Sequence, residues 1–166
     1  MPTALFISKE DLIKQTPLSA NIDFDKVLHF IKIAQDIHIH QILGSKLYEK
    51  LQSDILGSSL SGNYETLVET HIKPTLVQFS FMEYLPFSQY TISNKGVFKS
   101  TSENSALPSP QELDAMRDAA RDTAQYYAKR LVEFLRHNDN LFPEYKTNTD
   151  EDLRPVKDIT FGGWHI

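Results

Sequence analysis

The sequence predicts an all-α fold: a helical bundle with one long C-terminal helix, a small β-hairpin insertion and an extended C-terminal tail. Three observations carry this. Ser109–His137 is an uninterrupted helical signal. Apolar residues recur at helical spacing between residues 24 and 55 and crowd the run from Leu76 to Leu85. The β-prone segments are two short runs, Tyr90-Thr91-Ile92-Ser93 and Val97-Phe98-Lys99. A chain of 166 residues is long enough to bury a core in one unit. We read one helical domain over residues 1–137, with the hairpin at about 90–99, and an extended docking tail over 138–166.

In chain order, Ser8-Lys9-Glu10-Asp11 is a cap for a short helix over roughly 9–15, which Thr16-Pro17 ends. Asp23 caps the next helix, where Phe24, Val27, Leu28, Ile31 and Ala34 form one apolar face. The period blurs at Asp36-Ile37-His38-Ile39-His40, which predicts a kinked continuation to Leu43. Gly44 is a stop, and Ser45 opens a helix that turns Leu47, Tyr48, Leu51 and Ile55 inward. Gly57-Ser58-Ser59-Leu60-Ser61-Gly62 is a loop by composition. Ser61 or Asn63 caps a helix to about Ile72, and Pro74 restarts another. That second run, Leu76, Val77, Phe79, Phe81, Met82, Tyr84 and Leu85, is apolar nearly all round and should be central.

Asn94-Lys95-Gly96 between two β-prone runs predicts a hairpin with a three-residue loop ending in glycine. Ser109-Pro110-Gln111-Glu112 is a capping box with proline at the first helical position. Glu112 and Asp114 in the first turn, with Arg136 and His137 in the last, match the helix dipole. At about 1.5 Å per residue the helix would run roughly 40 Å. Its stripe is Leu113, Met116, Ala120, Ala124, Tyr127, Leu131 and Phe134, a core seam rather than a coiled-coil one, because Ala and Tyr stand where Leu or Ile would. From Leu141 onward little regular structure is expected, yet Phe142, Tyr145, Phe161 and Trp164 make the tail too aromatic for a disordered one.

Composition narrows the function. Net charge is −5, with no basic cluster, which argues against tight binding to a phosphate backbone. There are no cysteines, which fits a reducing compartment and removes thiol chemistry. No run reaches the ~20 apolar residues of a membrane span. The start Met1-Pro2-Thr3-Ala4-Leu5 lacks the basic residues of a signal peptide, so synthesis in the cytoplasm is expected. His38-Ile39-His40 is the one metal-like pattern. On a helix those two rings diverge by roughly 200°. His29 and His40 could share a face, but no carboxylate completes a site. Phosphate-loop, dinucleotide and nucleophile-elbow motifs are missing, and Asp150-Glu151-Asp152 lacks the glycine and spacing of a calcium loop. No catalytic, cofactor-binding or metal residues are expected, and the chain reads as a non-enzyme.

Several segments together resemble one family. They are Ile7-Ser8-Lys9-Glu10-Asp11-Leu12, Phe30-Ile31-Lys32-Ile33-Ala34-Gln35, Ile42-Leu43-Gly44-Ser45-Lys46-Leu47-Tyr48 with Leu51, Asn94-Lys95-Gly96-Val97, and the stretch from Asn138 to Pro143-Glu144-Tyr145. Their order and spacing resemble the small head–tail connector (adaptor, or ring) proteins of tailed phages, especially the crAss-like phages of Bacteroidetes. The resemblance implies a virion protein of the neck, made in the host cytoplasm. It implies a homo-oligomeric ring, typically of twelve copies, beneath the portal protein and bound to downstream tail or neck proteins. DNA would pass through its lumen without sequence-specific binding. A ring needs two different complementary surfaces per subunit. On this reading they come from the hairpin (Asn94, Gly96, Phe98) and the tail (Phe142, Tyr145, Phe161, Trp164, Ile166). The alternative is a monomeric intracellular α-helical protein-binding module whose aromatic tail caps its own core. A metal-dependent hydrolase around His38 and His40 is a distant third.

Overall fold

The computed structural model describes residues 3–99, 106–148 and 152–157. It is mostly helical, with one two-stranded antiparallel sheet among the described residues. Helix α1 is Lys9–Gln15, α2 Phe24–Ala34, α3 His40–Leu43, α4 Ser45–Leu56, α5 Gly62–Thr66 and α6 Lys73–Tyr84. The hairpin strands β1 (Tyr90–Ser93) and β2 (Gly96–Lys99) follow, then the 28-residue α7 (Pro110–His137) and the one-turn α8 (Pro143–Lys146).

The caps explain the starts. Ser8 and Asp11 form a capping box on α1, and Ser109 and Glu112 form one on α7, each side chain bonding the other residue's backbone N–H. Asp23 Oδ1 accepts from Asp25 N at 3.2 Å at the head of α2. Ser61 occupies the position before α5 but makes no side-chain cap bond there.

The blurred periodicity at residues 36–40 has a geometric cause. Gln35–Ile39 form a π-helical turn between α2 and α3. Each i→i+5 bond widens the helix and shifts its register, so a 3.6 period cannot be followed through it. A second π-turn, Leu67–Ile72, joins α5 to α6, and the helix runs unbroken past Pro74. Here the expected restart at Pro74 is corrected. A proline inside a helix lacks one donor and crowds the carbonyl four residues back. The wide turn just ahead of it supplies the room.

Helix α6 is central, as its all-round apolar pattern predicts, and packs against α1, α2 and α7. Its buried polar side chains are satisfied locally. Thr75 Oγ1 donates to His71 O and Ser80 Oγ to Leu76 O, both at 2.7 Å. The seam of α7 is Leu113, Ala120, Ala124, Ala128, Leu131, Val132 and Leu135. Met116, expected in that seam, is 48% exposed. The first half of α7 buries only Leu113 and Ala120, so it makes shallow contact with the core.

The segment after α7 is a second correction. Asn138 ends the helix, its side chain donating to Phe134 O at 2.9 Å. A 3-10 turn (Asp139–Leu141) and α8 then fold straight back onto the core. Phe142 and Tyr145 are 0% and 1% exposed. These two rings, expected to face a neighbouring subunit, instead fill the chain's own interior. Phe142 lies edge-on to Tyr64 and beside Phe134, with centroids 5.5 and 6.0 Å away.

Candidate functional site

The hairpin is the most exposed apolar feature of the described residues. Tyr90 pairs with Lys99, Thr91 with Phe98, Ile92 with Val97 and Ser93 with Gly96. Gly96 has φ +124°, so glycine supplies the positive φ that closes the loop after Asn94 and Lys95. All eight strand residues are exposed. Ile92 and Val97 share one face at 68% and 64% exposure, and Phe98 stands on the other at 50%. Among the described residues, no helix covers the hairpin. Asn94, Gly96 and Phe98 are brought together here. Phe161, Trp164 and Ile166 lie outside the described residues.

The hairpin's root is anchored. The Leu85–Phe87 turn is closed by Ser88 Oγ donating to Leu85 O at 2.7 Å. Phe87 packs on Phe30, which sits edge-on to Tyr84, at centroid distances of 5.3 and 5.6 Å. These rings, with Tyr90, Ile92 and Lys26, line an open cleft of about 300 Å³ beside β1. The hairpin thus stands on a packed aromatic root with its own apolar residues exposed.

Two anchors hold the chain's outer segments, and neither has a local sequence signal. At the N-terminal side, Gln35 Nε2 donates to Ala4 O and Tyr48 Oη, and Gln35 Oε1 accepts from Phe6 N, at 2.9–3.0 Å. Gln52 brackets Ala4 from the other side, donating to its carbonyl and accepting from its N–H. Residues 152–157 strap across the α3–α4 corner. Ser45 N donates to Leu153 O and Leu153 N to Ser45 Oγ, at 2.9 and 3.0 Å. Val156 N donates to Gln41 O at 3.0 Å.

Gly44 makes the strap possible. At φ +73° and ψ 157° its backbone suits glycine alone. An added Cβ would stand 2.7 Å from Pro155 Cδ and 2.9 Å from Pro155 N. Gly44→Ala is expected to cost about 2–3 kcal/mol. Amide exchange at Val156 should accelerate well before exchange in α6 does, which hydrogen-exchange NMR would read.

The histidines stack on aromatic rings. His38 lies 3.9 Å over Phe79 and pairs with Glu83 Oε1 at 2.9 Å. His40 lies 4.3 Å over Tyr48 and bonds Ser45 Oγ at 2.9 Å. They address different partners, and the described residues hold no cluster of three metal-ligating side chains. The hydrogen bond from His38 holds the Glu83 carboxyl below its ordinary value, against the opposing effect of its burial. Tyr64 Oη donates to Glu144 Oε2 at 2.7 Å, and burial together with that carboxylate pushes the phenol up to about 12.

His71 stacks 3.9 Å from Phe134, and burial, helped by the Arg130 charge, depresses its ionisation below the ordinary 6.5. A base whose folded pKa is depressed adds stability above its unfolded value and loses it as pH falls through the folded one. The wild-type urea midpoint should fall below pH 6.5. His71→Phe, which keeps a ring on Phe134, should flatten that fall between pH 7 and 5.

Residues 39–154 match a family model, and the chain belongs to that family, DUF6712, a family of unknown function. The matched stretch contains the hairpin, all of α7 and the start of the strap. No curated protein and no solved structure matches the chain.

Proposed function

We propose that this chain is a structural subunit of a tailed-phage virion, a head–tail connector that assembles into a ring beneath the portal and extends the DNA channel. The single observation that carries the reading is the uncovered hairpin. An isolated two-stranded hairpin is marginal in water. Ile92, Val97 and Phe98 exposed on its two faces invite association, which monomers avoid. A ring contact would cover them. The hairpin's root packs on the helices through Phe30, Tyr84 and Phe87, which would fix the direction in which the hairpin projects. An acidic subunit suits a lumen past which DNA slides. The portal and downstream tail or neck proteins are the partners, and the neck of the virion is the location. No helix of the described residues is long and apolar enough to cross a membrane.

The binding-module reading has its own supporting observation. Phe142 and Tyr145 fill the core of their own chain, as an aromatic tail capping its own domain would. On that reading the same hairpin takes an unlike partner. Deletion of Phe161–Ile166 tests the tail's part in assembly. The truncated chain is expected to keep the helical circular dichroism of the full chain but to sediment as a monomer where the full chain sediments as a ring. Rings of unchanged size would remove the tail from the interface.

A further inference from the structure

We propose that the hairpin of one copy docks on the outward face of the first half of α7 in the next copy, around Met116. This contact rests on the ring reading above and names the surfaces that make it. Charge selects the pair. From Leu85 to Lys99 there is no carboxylate, and Lys95 and Lys99 give the hairpin a charge of +2. From Pro110 to Thr123, four carboxylates (Glu112, Asp114, Asp118, Asp122) stand against two arginines (Arg117, Arg121), a charge of −2. Two hairpins meeting each other would oppose like charges, as would two helix faces. A hairpin meeting a helix brings opposite signs together.

The apolar surfaces agree with the charges. Met116 is the large apolar side chain left exposed on this half of α7, with Ala115 and Ala119 exposed beside it. Their small side chains let a strand approach. Ile92, Val97 and Phe98 are the exposed apolar residues on the other side. Only the ten residues 100–109 separate the hairpin from α7 in the chain, yet neither covers the other. Each copy thus offers one surface of each kind. A head-to-tail contact between unlike surfaces propagates and closes into a ring if the rotation allows it.

The absence of native cysteines makes a direct test clean. Phe98→Cys and Met116→Cys are made singly and together, and treated with a short bismaleimide. Mixed single variants should give one cross-linked heterodimer. The double variant should give a ladder of dimer, trimer and higher species, and each single variant alone should remain monomeric on denaturing gels. Lys95→Glu with Lys99→Glu should raise the concentration for half-assembly at least tenfold, and adding Asp122→Lys, on the same side of α7 as Ala115 and Ala119, should restore part of it. Four results overturn the contact: dimers from Phe98→Cys alone, an intrachain cross-link in the double variant, wild-type oligomers without a ladder, or full assembly of the Lys95/Lys99 variant. Oligomers without a ladder sink this contact and leave the ring standing. A wild-type chain that is monomeric at every concentration and gives no ladder sinks both.

Discussion

Gln35→Ala should lower stability by about 3–4 kcal/mol, shifting the thermal midpoint by roughly 10 °C for a chain of this size. The residue is 0% exposed and sits at the first position of a π-turn. Its amide makes three long-range hydrogen bonds, to Phe6 N, Ala4 O and Tyr48 Oη. Truncation leaves the Phe6 N–H buried with no partner, which costs about 1–3 kcal/mol alone. It also opens a void in a close-packed core. Ala4 O is spared because Gln52 still donates to it. Tyr48 Oη keeps its bond to Asp36 Oδ1 at 3.2 Å. Urea unfolding checks the figure. A loss below 1 kcal/mol would mean that residues 4–6 are held by packing of Phe6 and Ile7 and not by the amides.

Phe142→Ala should cost about 3–5 kcal/mol, the usual range for emptying a buried phenylalanine site. The ring is 0% exposed between Tyr64 and Phe134. The loss should appear in the unfolding of dilute, dissociated protein, because the ring serves its own chain. A side chain built for a neighbouring subunit would behave oppositely. Its truncation would leave the monomer unchanged and abolish assembly. Phe98→Ala is the contrasting variant. It stands half exposed on the hairpin, and should leave unfolding within about 0.5 kcal/mol of wild type.

The legible parts of this molecule are those written by neighbours in sequence. Ser8 with Asp11, Asp23, Gly44 and Ser109 with Glu112 mark helix ends through bonds between residues a few positions apart, and the structure reproduces those boundaries. The hairpin forms where the sequence places it, but its loop is two residues, Asn94-Lys95, not the expected three, because Gly96 opens β2 and pairs with Ser93. Helix α6 is central because an all-round apolar helix has no solvent face to offer.

The parts that were not legible depend on contacts far apart in the chain. Gln35 meets Ala4 and Phe6 across about thirty residues, and Ser45 meets Leu153 across 108. No periodicity encodes either. Pro74 signals a break because a proline removes a donor, yet the helix continues through it directly after a π-turn. Met116 fitted the seam by spacing alone, but the first half of α7 has too little core beside it to cover that position. The residues after Asn138 lack a long periodic run, so the sequence alone points Phe142 and Tyr145 toward a partner. Phe142 and Tyr145, with the Tyr64–Glu144 hydrogen bond, hold that segment on the core. Of the interface residues expected from the sequence, Asn94, Gly96 and Phe98 share one exposed element, and Phe142 and Tyr145 belong to the core.

The ring reading stands or falls most directly on mass. Native mass spectrometry of the purified full chain across a wide concentration range, with and without zinc, measures it. The account predicts a closed oligomer of about twelve subunits whose population rises with concentration and ignores zinc. A metal-free monomer at every concentration would contradict self-assembly and favour a single-chain binding module.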